Sequence, residues 1–463
     1  MHKSCEALHA LGRFLCCVLL NTLVRQRNIF EGENMSEDTA QRTDAVVKEK
    51  RAPLPRSVKF TVAILFAAWI VDYIDRLVIT IVLPLIGADL ELNNTQLGLL
   101  ASGFFFAYAF AQVPGGMLTD RFGGRPIAGV AMLTWSAFTA LSGLVSSFGV
   151  LFTIRVLFGA AQAPFPSAAA KILAERTTPN QRMTAQGIVS ASNGIGSLVG
   201  YLVIPPVVVL LGWRGTFIAM AGLGVLSFFL LFLLPKLRVE VPKPSAESAA
   251  ARAEQWRQVR ALVRNPTMMI FAAMFFSSNL ITWGVVTWMP SYLQQVRGID
   301  VGSSSLLLAL PALCIAVGIY VGGRLTDRLG GASAKIVAPA MAVSLVAIIL
   351  MATSESLTMF IIFECIAIFG CGLCNVPVVS VPLKALSTQL SGSAFSIVNF
   401  GGQLAGIVAP LAMGILLDSY GYTSAFLFLG VGAVLAIVMA IIAPQSVDAF
   451  AQRTKLVAQE AQQ

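Results

Sequence analysis

The chain has 463 residues, 56% of them hydrophobic and only 12% charged, with a mean hydropathy of +0.78. A soluble domain carries about 25% charged residues, so this composition excludes an ordinary water-soluble globular protein and points to a membrane. The net charge of +9 is not a nucleic-acid footprint, because the basic residues gather at the ends of apolar stretches and do not stud a soluble fold.

In chain order, residues 1–34 hold both histidines, His2 and His9, and three of the seven cysteines, Cys5, Cys16 and Cys17. Their apolar patch, 14–24, is interrupted by Asn21 and has no small-residue cleavage site, so a misassigned start, with Met35 opening the protein, is a better reading than a signal peptide. Twelve apolar runs follow, each long enough to cross a hydrocarbon core of about 30 Å. They lie near 60–86, 95–117, 126–148, 150–173, 184–211, 215–234, 267–293, 303–324, 335–353, 357–383, 391–417 and 423–443. Lys and Arg mark cytoplasmic loops. With both termini inside, only Arg214 and Arg297 of the 32 basic residues fall on the outer side. The expected fold is therefore an all-α membrane protein of twelve transmembrane helices. Its parts are a cytoplasmic N-terminal segment (1–56), a six-helix half (57–234), a cytoplasmic linker (235–266), a second six-helix half (267–445) and a cytoplasmic tail (446–463). In the linker, Arg252, Trp256, Arg257, Arg260 and Arg264 suit either an amphipathic helix on the membrane surface or a solvated tether.

The two halves arise from a duplication. Gly116-Met-Leu-Thr-Asp120-Arg121 returns as Gly323-Arg-Leu-Thr-Asp327-Arg328, offset by 207 residues. Independent anchors agree: Pro84 with Pro290, and Asn193-x-x-Gly196-x-x-x-Gly200 with Asn399-x-x-Gly402-x-x-x-Gly406, both at 206. Gly212-Trp and Phe217 match Gly421-Tyr and Phe426 at 209. A shared offset at several places marks repeated architecture. The small-xxx-small glycines also favour close helix contacts.

Chemistry should concentrate where ionisable groups lie inside the spans, because a charge at the bilayer centre costs about 2.5–3.5 kcal/mol even on the lenient insertion scale. The first span has Asp72, Asp75 and Arg76, the fourth Arg155 and the tenth Glu364. The i, i+3, i+4 spacing puts the first three on one helix face, which must look into the protein. At about 1.5 Å per residue, Arg76 and Arg155 sit at comparable depths. Two guanidiniums at one level suit a bound carboxylate, sulfonate or phosphate. A structural ion pair of Asp72 or Asp75 with Arg76 is the simpler alternative, and it leaves Arg155 unexplained. Trp283, among Ser277, Ser278, Asn279 and Thr282, either stacks on a ligand ring or packs in the core.

Twelve spans, two halves and the Gly116–Arg125 loop with its second copy resemble the major facilitator superfamily. Tyr73-Ile-Asp75-Arg76, Tyr108 to Gly116, Arg155 with Gly159, and Asn399-Phe-Gly-Gly-Gln403 are similar to its anion:cation symporter branch. The resemblance implies a secondary active carrier importing a small organic anion, a sugar acid or another carboxylate or sulfonate, by proton symport and alternating access. It assigns the anion to Arg76 and Arg155 and the proton to Asp75, and puts Tyr108, Asn193, Asn399 and Gln403 in substrate-contacting segments. Gly116, Asp120, Arg121, Arg125, Asp327 and Arg328 fall in the conformational latch. Where the branch has a proton-binding glutamate, this chain has Gln162, so coupling rests on Asp75 alone or is shared with Asp72 or Glu364. Sodium coupling, an uncoupled uniporter or exchanger, a phthalate-type carrier and a non-transporting anion sensor are the alternatives. A monomer in a bacterial inner membrane is expected, with no cofactor and no metal. No Gly-Lys phosphate loop, H-E-x-x-H or G-x-S-x-G occurs, which argues against an enzyme.

Overall fold

The computed structural model describes residues 54–235, 257–386 and 388–454. The readings on residues 1–34, on Arg252 and Trp256 of the linker and on the last nine residues lie outside them. Among the described residues the regular structure is entirely helical. In chain order, besides a helical run over 257–264 and a 3-10 turn Val301–Ser304, the helices are α1 (Arg56–Asp89), α2 (Asn94–Phe122), α3 (Gly124–Ser142), α4 (Phe148–Gln162), α5 (Phe165–Arg176), α6 (Pro179–Phe232), α7 (Pro266–Gln295), α8 (Ser305–Arg328), α9 (Ser333–Ala352), α10 (Leu357–Ala385), α11 (Thr388–Ile442) and α12 (Val447–Thr454). Eight helical segments are long and apolar enough to cross a membrane, and α1, interrupted by its charged triad, is not among them.

Local chemistry sets the boundaries. Asn93 and Gln96 form a reciprocal capping box that starts α2, and Gly123, at φ 91°, ends it. The run expected as one segment over 150–173 is interrupted between α4 and α5, where Pro164 and Pro166 have no N–H to continue the ladder. α6 and α11 each comprise two helices, as the runs 184–211 with 215–234 and 391–417 with 423–443 lead one to expect, joined without an intervening loop at one non-helical glycine, Gly212 (φ 67°) or Gly421 (φ 76°). A left-handed residue reverses the chain with no loop, and glycine takes that conformation without the Cβ penalty. The two turns are 209 positions apart, the offset already seen for Phe217 and Phe426.

Within the first set of helices α1 packs on α6, α2 on α4, and α3 on α6; within the second α7 packs on α11, and α10 on α8 and α9. The sets meet through α2 against α11, α6 against α8 and α1 against α7. The α2–α11 contact is tightest where α2 begins. Asp418 accepts hydrogen bonds from the Asn94 backbone (3.0 Å), the Asn94 side chain (2.9 Å), the Thr95 backbone (2.8 Å) and the Thr95 hydroxyl (2.6 Å). Two turns along, Ser102 donates to the Ile407 carbonyl at 2.7 Å. Between them, a Cβ on Gly98 would lie 2.5 Å from the Pro410 carbonyl oxygen. From Leu97 to Ala109 α2 is buried except at Leu99 and Phe106, whereas from Phe110 to Asp120 only Gly115 and Thr119 are buried, and they face Pro164 and Ser167 of its own set. The bundle is thus closed between α2 and α11 at the Asp418 end and uncovered along α2 toward Asp120.

Gly98→Leu should prevent that closure, because backbone oxygen cannot yield to the added side chain. The expected result is a folded protein whose Asp418 end stays open, read as increased labelling of a cysteine placed at Asn94 by a water-soluble maleimide. Labelling equal to that of the unsubstituted Gly98 parent would refute it.

Candidate functional site

The charged triad of α1 is fully inside the protein. Asp72, Asp75 and Arg76 are at most 9% exposed, and so are Arg155 and Gln162 on α4. Arg76 lies 2.9 Å from the Asp72 carboxylate. Its Nε donates to the Gln162 amide oxygen at 2.8 Å, and the Gln162 amide nitrogen donates to the Asp72 backbone carbonyl at 3.3 Å. Both ends of the Gln162 amide are therefore engaged. A neutral carboxylic acid could make the same two bonds, one accepted and one donated, but a carboxylate could not donate the second. Gln162 acts as a fixed likeness of a protonated acid.

The ring of Phe104 is in contact with both arginines. The Arg76 guanidinium is 5.5 Å from its centroid and that of Arg155 5.6 Å, so one aromatic ring is shared by both cations. Tyr108, one turn further along α2, stacks on Phe104 and carries the Arg76 guanidinium at 4.5 Å; Phe158 carries that of Arg155, also at 4.5 Å. Such cation–π contacts are stronger when desolvated. Gly159 makes the arrangement possible, because a Cβ there would run into the Phe104 carbonyl oxygen. The α2 and α4 backbones approach closely enough to hold Arg155 against Phe104.

Asp75 is the group left over. It lies within electrostatic range of Arg155 and Asp72 and has the Trp135 indole as its one neighbouring donor, and neither carboxylate oxygen makes a well-formed hydrogen bond. Arg155 Nε is likewise unpaired. Buried polar atoms are normally satisfied, so an unpaired carboxylate beside an unpaired guanidinium edge leaves room for a proton and an anion.

The other expected site residues are distributed unevenly. Tyr108 touches Arg76 directly, and Trp283 reaches the cluster through Phe105, 4.5 Å from the Trp283 ring and packed edge-on to Phe104. No described hydrogen bond or ring contact joins Asn193, Asn399 or Gln403 to either arginine. Asn193 Oδ1 and Gln403 Oε1 are buried without partners, and Asn399 is half-buried one turn before Gln403. Around Asp120 the contacts stay within one set: Lys171 lies 3.7 Å from the Asp120 carboxylate and donates to the Thr119 and Asp120 carbonyls, while Arg125 donates to the Phe232 carbonyl at 2.8 Å. Gly116 has open space where a side chain would go, Arg121 lies over Phe122, and Asp327 pairs with Lys384 at 3.0 Å. Arg328 closes α8. Phe104 and the bridging role of Gln162 escaped the sequence reading. The signal for Phe104 was its i, i+4 relation to Tyr108, hidden in a run of three phenylalanines.

The model of the Major Facilitator Superfamily matches residues 64–410 and, overlapping, 305–457. The chain belongs to the Major Facilitator Superfamily. It is accordingly a multi-pass membrane protein of a transporter family and not an enzyme. Among its relatives, the "Probable L-galactonate transporter" of Escherichia coli (strain K12) is 29% identical over 373 residues, covering 77% of this chain and 82% of that protein. The "Probable sulfoacetate transporter SauU" of Cupriavidus necator is 29% identical over 392 residues, covering 79% and 90%. Among solved structures, a bacterial homologue of the human lysosomal transporter Spinster, in an inward-facing and unoccupied conformation, matches with a TM-score of 0.71 at 20% identity over 88% of this chain and 99% of that one. That likeness carries the superfamily fold alone.

Proposed function

We propose that the protein is a secondary active transporter that imports a small organic anion, a sugar acid or a compact carboxylate or sulfonate, by proton symport. The observation that carries this reading is the pair of buried guanidiniums sharing the Phe104 ring beside Asp75, a buried carboxylate with no well-formed hydrogen bond. Guanidinium forks match the oxygens of carboxylate and sulfonate alike, in keeping with relatives named for L-galactonate and for sulfoacetate. Arg155 supplies the free edge, while Arg76, already partnered by Asp72 and Gln162, sets the field and holds a second oxygen when the substrate arrives. Asp75 takes the coupled proton and Asp72 trims the charge of Arg76. Tyr108 and Trp283 form the aromatic wall. Asn193, Asn399 and Gln403, polar and underused, turn to the substrate hydroxyls when the helices close around it.

In this reading twelve spans form two six-helix halves, 57–234 and 267–445, joined by the cytoplasmic linker 235–266. Gly212 and Gly421 are the outer turns of the fifth-to-sixth and eleventh-to-twelfth spans. Arg121, Arg125 and Arg328 lie on the cytoplasmic side, with both termini, in a bacterial inner membrane. The Asp418 end is then the outer end and the site opens inward. Rocking of the halves about the midplane exchanges the two openings, and the glycine contacts of α2, α6 and α11 allow the close approach this needs. The working unit is a monomer.

The test is reconstitution of the full chain into vesicles loaded with a pH-sensitive dye, with L-galactonate, galactarate, sulfoacetate and phthalate added singly at matched ionic strength. Internal acidification triggered by one anion supports the reading. Radiolabel uptake without acidification points to sodium coupling or uncoupled exchange, which the untitratable Gln162 would suit. Binding without flux points to a sensor.

A further inference from the structure

Glu364 lies outside the arginine site and takes no part in the function proposed above. It is 1% exposed, on α10, and neither carboxylate oxygen has a hydrogen-bond partner. No cation acts on it. The titratable groups near it are Tyr201 of α6, within electrostatic range of it from the other set of helices, and Cys365, its neighbour in sequence, which itself meets Cys314 of α8. α7, α9, α11 and α12, which also pack on α10, bring it no charged or titratable group among the described residues, Asp448 and Arg453 of α12 included. Glu364 is seven residues into α10 from the Leu357 end, about 10 Å, and Tyr201 is about 16 Å back from the Gly212 turn, at about 1.5 Å per residue. Both starting points are at the Asp418 end: Arg297, at the end of α7, donates to the Ser354 carbonyl just before α10, and Arg214, after Gly212, pairs with Asp89 just before α2.

A buried carboxylate with neither a cation nor a donor is neutral or it is elsewhere. We infer that Glu364 is a second proton-binding site, filled while the Asp418 end is closed and emptied into water when the two sets of helices part there. The protonated acid is held in the seam between the two sets of helices, and ionisation requires the seam to open, so the proton acts as a bolt on the closed end. The inference rests on the rocking motion of the function proposed above and is independent of the anion and of coupling through Asp75.

The sign follows from linkage: the open state binds fewer protons, so alkaline pH favours opening, by up to about tenfold per pH unit for one proton released. The experiment uses the full chain in nanodiscs without any anion, with spin labels carried on ketone-bearing unnatural residues at the exposed positions Ser146 and Tyr420, one on each set. Distances are read by double electron–electron resonance between acid and alkaline pH. The wild type should shift toward the longer distance as pH rises, Glu364→Asp should keep the shift, and Glu364→Gln should hold the closed distance at every pH. An equal shift in Glu364→Gln, or no shift in the wild type, would overturn the inference. Should the Gln variant fail to fold, infrared difference spectra of wild type and Glu364→Asp decide it. Loss of a protonated-carboxyl carbonyl band on alkalinisation, displaced in the Asp variant, supports the site, and an unmoved band removes it. Since no anion is present, failure here leaves the transport reading standing, and failure of anion uptake leaves this result standing.

Discussion

Arg155→Ala should abolish uptake while the protein still folds and inserts. In the buried site Arg155 is held by the faces of Phe104 and Phe158 and by the field of Asp75, with its Nε unused. Removing it takes away both the anion's free guanidinium edge and the charge opposite Asp75. Charge-assisted bidentate pairs are among the strong ones, and truncating one partner of a buried charge pair costs about 2–5 kcal/mol, which corresponds to roughly 30-fold to several-thousand-fold in anion affinity. Asp75 can accept a proton in compensation, so the fold should survive. The measurement is the Kd of the transported anion by calorimetry alongside vesicle uptake, with a size-exclusion profile as the folding control. Arg155→Lys should recover little, because an ammonium lacks the planar fork that spans two oxygens. A well-folded Arg155→Ala protein with uptake within threefold of wild type would remove the arginine from the site.

The second large effect belongs to Asp75. Asp75→Asn keeps the size of the side chain and removes the proton, so concentrative uptake driven by a pH gradient should vanish while exchange of labelled for unlabelled anion continues. Asp72→Asn separates the two carboxylates. Asp72 is tied to Arg76 at 2.9 Å, so its loss should weaken anion binding by freeing Arg76 to change its partners, with the pH dependence of uptake retained. Loss of exchange in Asp75→Asn would mean that the carboxylate organises the site and does not carry the proton. Loss of pH dependence in Asp72→Asn would transfer the coupling role to Asp72.

Much of this was legible in the chain because membranes penalise charge so heavily. In a hydrophobic background Asp72, Asp75, Arg76 and Arg155 stand out one by one, and helical spacing alone puts the first three on a common face. The duplication was equally visible, since a shared offset is independent of packing. What stayed hidden was whatever packing decides. Phe104 is one of three adjacent phenylalanines, and only the close approach at Gly159 shows which of them touches both arginines. Gln162 read as an absence, a lost carboxyl; its two hydrogen bonds show it to be a part of the site in its own right. The separation of spans at Gly212 and Gly421 was legible, and only the shortness of the joint, one non-helical glycine, waited for the backbone. Asn193, Asn399 and Gln403 were placed by the repeat and by resemblance. No described hydrogen bond or ring contact joins their unsatisfied or half-buried amides to the arginines.

The single-residue turns have a consequence for what the Asp418 end offers to other molecules. Links between helices there run to five residues at most: 90–93, 143–147, 296–300 and 353–356, besides the two glycines. The two basic side chains on that face are already spoken for, Arg214 by Asp89 and the Val145 carbonyl, Arg297 by Tyr292 and the Ser354 and Glu355 carbonyls. A trypsin-like protease, which needs an extended strand around a free Lys or Arg, would find no purchase on that face. Nor would an antibody seeking a protruding epitope, so this side of the molecule is a nearly featureless cap to anything larger than its cargo.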